Sequence, residues 1–92
     1  MLIITASQLR AARALLGIDQ RQLAEKAGVS LPTIQRMEAS DGVVRGVIDT
    51  LMKVIEALEA EGIELIGENR PSMGEGRGVR LIAPAPRPQG ES

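Results

Sequence analysis

Apolar positions recur at helical spacing through the first sixty residues and then switch to alternation. Over residues 5–16, Leu9, Ala12 and Leu16 form one stripe, with Leu15 at its edge. Thr5 with Gln8 three residues on is a capping-box pattern that opens this helix, and Gly17 is placed to end it. Ile18 is expected to tuck under the core. A second helix starts at Asp19, again with a Gln three residues later, and presents Leu23, Ala24 and Ala27 inward before Gly28 stops it. Ser30 caps a third helix whose first turn holds Pro32, where the missing N–H costs little, and Ile34 and Met37 point inward. Residues 39–42 read as a turn. A fourth helix runs from about residue 46 to residue 60, with Val47, Ile48, Leu51, Val54, Ile55 and Leu58 on one broad face. Met52 is counted with the core, and Gly62 is the expected C-terminal cap.

Beyond Gly62 the period shortens. Residues 63–66 and 78–82 have the β-branched, alternating character of strands, and residues 67–77 between them are rich in turn formers. The last ten residues, 83–92, include three prolines and read as a disordered tail. The expected organisation is a helical domain over 1–62, a β-hairpin over 63–82 and the tail. The fold class is mainly α, four helices followed by a two-stranded β element.

Composition narrows the chemistry. The 92 residues include no Cys, His, Phe, Tyr or Trp. That removes thiol and imidazole catalysis, the usual zinc sites and disulfides. It also removes the aromatic platforms on which single-stranded nucleic acids stack. Lys26 and Lys53 are the only amine bases, and neither stands in a recognisable Ser/Lys arrangement. The glycine-rich run 74–78 lacks the Gly-Lys-Ser/Thr and following helix of a phosphate-binding loop, so it reads as a flexible turn. Glu56, Glu59, Glu61, Glu64 and Glu68 are scattered over a helix and a strand, which fits a solvated face better than a divalent-metal site. The expectation is no enzyme, no cofactor and no metal. The apolar start, Met1 to Ile4, is too short for a signal peptide, and no run approaches a membrane span, so a cytoplasmic location is expected.

The region spanning about residues 20–38 carries a more specific pattern. Two short helices meet across a glycine-containing turn, as in a helix-turn-helix. Ala24 is small where the third helix must cross closely, Gly28 suits a left-handed turn position, and Val29, Ile34 and Met37 lock the pair. With Arg13, Gln20, Leu23, Ser30 and Glu38 added, the chain resembles the phage-repressor/Cro type of helix-turn-helix, the xenobiotic-response-element family. Residues 10–17, 57–66, Glu68-Asn69 and Gly78-Val79-Arg80-Leu81 are similar to short bacterial regulators of that type that end in a β-hairpin. Leu31-Pro32 departs from the resemblance, since polar residues are commoner there.

The resemblance implies a partner, double-stranded DNA, with the third helix in the major groove. Leu31, Pro32, Thr33, Gln35 and Arg36 are then the base-contacting candidates, Arg36 for guanine and Gln35 for adenine. Gln20, Ser30, Arg45, Arg10 and Arg21 are the phosphate candidates. Arg13 and Glu38 are implied to form a partly buried structural pair, and Ala24 and Gly28 are structural as well.

A homodimer is expected, because the domain is small and its strand edges need covering. Ile63, Leu65, Ile66, Val79 and Leu81 are the candidate interface. The net charge of −1 hides an asymmetry: residues 1–53 hold seven basic and five acidic groups, whereas 54–69 hold five glutamates and no base. The leading function is a sequence-specific transcriptional regulator, a repressor on a palindromic operator, associated with the nucleoid. An antitoxin bound to a toxin is the close alternative. A protein-interaction module without DNA binding is the alternative of a different class. A toxin or the polymerase is the protein partner these readings allow.

Overall fold

A computed structural model of the chain describes residues 4–40, 42, 44, 48–68, 70–80 and 82. Among the described residues four helices follow one another, α1 (Ala6–Leu16), α2 (Gln20–Ala27), α3 (Leu31–Glu38) and α4 (Ile48–Ala60). Their boundaries are set by the expected caps. Thr5 and Gln8 close a capping box, the Gln8 N–H donating to Thr5 Oγ1 (3.1 Å) and the Thr5 N–H to Gln8 Oε1 (2.9 Å). Asp19 and Gln22 repeat it at α2, at 2.7 and 2.8 Å. Ser30 Oγ accepts from the Thr33 N–H at 3.3 Å. Gly17 and Gly28 both adopt left-handed backbone, φ 69° and 70°, where a side chain is strained.

The fully buried side chains are Ile4, Leu9, Leu23, Ile34, Val54, Ile55 and Leu58. They come from all four helices and from Ile4, so one core lies where α2 packs on α3 and α4, and α1 on α3. Ile4 joins it because its carbonyl accepts from the Val44 N–H (2.9 Å) while the Ala6 N–H donates to Gly42 O (2.9 Å). These bonds stitch the N-terminal segment to the chain between α3 and α4. Leu16 and Ile18 pack against this core as expected.

Three apolar expectations are corrected. Met52 is 40% exposed rather than in the core, because successive residues on an α-helix turn by about 100° and Met52 follows Leu51, which faces inward. Ile48, in the first turn of α4, is 69% exposed. Leu15 lies outside the α1 stripe and is exposed.

The two expected strands are not formed among the described residues. Residues 63–66 keep the predicted alternation, Ile63 and Leu65 packing on the core while Glu64 faces solvent, yet they have no ladder partner. The side chains that would sit mid-strand are engaged elsewhere. Glu64 accepts from the Ser72 hydroxyl (2.6 Å) and the Met73 N–H (2.7 Å), and Arg80 Nη2 donates to the carbonyls of Gly67 (2.9 Å) and Arg70. Leu81 and the tail 83–92 lie outside the described residues. No described helix is long and apolar enough to cross a membrane.

Candidate DNA-recognition surface

The turn between α2 and α3 fixes the surface. The Gly28 N–H donates to Glu25 O and the Val29 N–H to Ala24 O (3.0 Å), so the chain leaves α2 through a tight left-handed turn. Ala24, nearly fully buried, lets α3 cross close to α2. Ile34 and Met37 fill the inner side of α3. That leaves Pro32, Gln35 and Arg36 exposed on the opposite side, with Leu31 and Thr33 half-buried at its edge. All five base-contacting candidates therefore lie on one helix, Pro32, Gln35 and Arg36 on its outward face and Leu31 and Thr33 at the edge of that face. Arg36 Nη2 lies 3.5 Å from Thr33 Oγ1, a long contact, and the guanidinium's other donors have no partner among the described residues.

Below this face sits a buried polar cage. Glu38, 5% exposed at the end of α3, takes a bidentate pair from Arg13, Nε to Oε2 at 2.5 Å and Nη2 to Oε1 at 2.7 Å. Arg13 Nη1 also donates to Ile18 O at 3.2 Å. The hydrogen bond to Glu38 raises the Arg13 pKa above its ordinary value, against the opposing effect of burial. The cage ties α3 to α1 through a charged, shape-specific contact. It is the pair implied by the resemblance.

Two phosphate candidates turn out to be part of this frame. Gln20 Nε2 donates to Glu38 Oε1 at 3.1 Å, so the first residue of α2 joins the cage. Arg10 donates through Nη1 to the Glu38 carbonyl and through Nη2 to Ser7 Oγ (3.1 Å), placing a cation at the C-terminal end of α3. Sequence reasoning missed both roles, since nothing in spacing alone brings residues 10 and 20 to the end of α3. Ser30 spends its hydroxyl on the α3 cap and on Thr33 Oγ1, 2.7 Å away. Arg21 is exposed, and Arg45 lies outside the described residues. Ile63 and Leu65, candidates for a dimer interface, already pack partly on their own core, and the Ile66 carbonyl accepts from Gln8 Nε2 (2.9 Å), whereas Val79 is exposed.

Three capped helices, a glycine turn and a polar cage holding the third helix outward define a helix-turn-helix domain. Residues 9–46 match the family model described as helix-turn-helix, which supports the repressor/Cro-type resemblance for this part of the chain. The match covers α1, α2, α3 and the connection to α4, less than half of the chain. No curated protein and no solved structure matches the chain. A helix-turn-helix of this kind is a DNA-binding element found in transcription regulators.

Proposed function

We propose that the chain is a sequence-specific regulator that binds duplex DNA through α3 and acts as a homodimeric repressor on a palindromic operator. The observation that carries this reading is the outward face of α3, with Arg36 and Gln35 exposed above a frame that ties the end of the helix to α1 and α2. Arg36 reaches the O6 and N7 acceptors of a guanine, and Gln35 pairs with an adenine edge. Thr33 meets a phosphate or a thymine methyl, and Leu31 and Pro32 supply apolar contact where polar residues are commoner. Arg21 and Arg45 are assigned to phosphates. Arg10 and Gln20, which donate to Glu38, are assigned to the orientation of α3 as well as to phosphate.

Residues 1–62 form the DNA-binding unit and 63–82 the dimerisation element. Paired domains set two α3 helices about 34 Å apart, one turn of DNA, on one face of the duplex. The glutamate-rich stretch 54–69 is turned away from the phosphates. The small excess of positive charge near α3 implies weak non-specific binding and reliance on base contacts. A repressor working in this way resides with the nucleoid in the cytoplasm. Selection of bound sequences from randomised duplex DNA tests the reading. A palindromic motif is expected, and failure to enrich any motif at low salt contradicts it.

A further inference from the structure

The C-terminal segment has two stretches with no ladder partner among the described residues, and their side chains match each other in only one phase. Ile63 and Leu65 face the core and Glu64 faces solvent. In an antiparallel ladder with Glu64 opposite Arg80, Leu65 falls opposite Val79, Ile63 opposite Leu81 and Ile66 opposite Gly78. One face is then wholly apolar and the other carries an opposite-charge pair, whereas a one-residue slip puts Glu64 against an apolar residue.

Within one chain this ladder is not made among the described residues. The backbones of Glu64, Leu65 and the described residues 71–80 make no backbone-to-backbone hydrogen bond. Val79 and Ile82 are each 78% exposed. The intervening segment is instead folded on its own side chains, Glu64 holding Ser72 and Met73 while Arg80 holds the carbonyls of Gly67 and Arg70. The residues involved are solvent-exposed apart from half-buried Gly67, so exchanging these bonds for a ladder costs little.

We propose that residues 63–66 of one copy pair antiparallel with residues 78–82 of a second copy, Glu64 facing Arg80 of the partner subunit. This rests on the homodimer reading above and adds its register and partner residues. A twofold axis makes the contact twice, since each copy offers one Glu64 edge and one Arg80 edge. Apolar faces and charge are complementary between the two segments, and the backbones of Glu64, Leu65, Val79 and Arg80 have no ladder partner among the described residues.

The test is sedimentation of the full chain, of Glu64→Arg, of Arg80→Glu, and of an equimolar mixture of the two variants, with circular dichroism confirming equal helix content. Each variant alone sets like charges opposite one another in both ladders, and its dimerisation should weaken by about 10-fold. In the mixture, the two substituted positions face each other in one ladder and the two native ones in the other. The mixed dimer should therefore recover the full chain's affinity. If the full chain dimerises but the mixture is no tighter than either variant, pairing between copies in this register is wrong and the homodimer reading stands. If the full chain is monomeric at every concentration, both fail.

Discussion

Replacing Arg13 with Ala should unfold a large fraction of the protein's stability from a single contact. The Glu38 side chain is only 3% exposed and accepts two N–H bonds from Arg13 and one from Gln20. Arg13→Ala removes two of the three and the compensating charge. Stranding one partner of a buried pair costs about 3–5 kcal/mol. The Arg13 side chain is itself 20% exposed, so water can enter the vacated space, and the lower end, about 3 kcal/mol, is expected. Domains hold about 5–15 kcal/mol in total, and one this small sits toward the low end. Urea unfolding followed by circular dichroism should show the midpoint falling by at least about 1 M at an unchanged slope. The double variant Arg13→Met with Glu38→Met removes both charges and should recover most of the loss. A cost under about 1 kcal/mol for Arg13→Ala, or a double variant as unstable as the summed singles, refutes the cage as the anchor of α3.

Other expectations follow from the same geometry. Gly28→Ala meets no atom within 4 Å, so its cost is backbone strain at φ 70° alone, about 1–2 kcal/mol by urea unfolding. Gln20→Glu adds a carboxylate against Glu38 and should destabilise by more than Gln20→Ala, with denaturation midpoints deciding the order. Hydrogen bonds from Ser72, Met73 and Gly74 hold the Glu64 carboxyl below its ordinary range. A depressed carboxyl contributes stability that is full above its unfolded pKa and is lost as pH falls through the lower folded value. At concentrations where the chain is monomeric, the Met73 and Gly74 amide resonances should therefore move at a midpoint below that of an ordinary glutamate, and should not move in Glu64→Gln. A chain ending at Ile66 keeps Ile63 and Leu65 on the core but loses the second edge, and should sediment as a monomer.

Much of the helical domain was legible because its signals are local. Capping pairs at Thr5 and Asp19, left-handed glycines at 17 and 28 and an inward Ile34 depend on residues within one or two turns. The outward face of α3 followed from the same periodicity. What escaped is set by tertiary approach. Arg10 and Gln20 look like surface residues along the chain, and only the packing of α1, α2 and α3 brings both to Glu38. Met52 shows the limit of counting apolar residues on a helix whose core face is narrower than its apolar surface. Alternation at 63–66 suggested a strand with Ile63 and Leu65 at a dimer interface, whereas both pack on the core of their own chain; a strand also needs a partner, and no spacing supplies one.

The central claim is that α3 reads base edges, and the base-by-base binding profile of Arg36→Ala tests it most directly. Binding energies are compared between this variant and the unaltered protein across all single substitutions of the selected site. The account predicts a loss of about 1–3 kcal/mol with discrimination relaxed at one base pair in each half-site and retained elsewhere. An unchanged profile, or a uniform loss with every base preference intact, contradicts it.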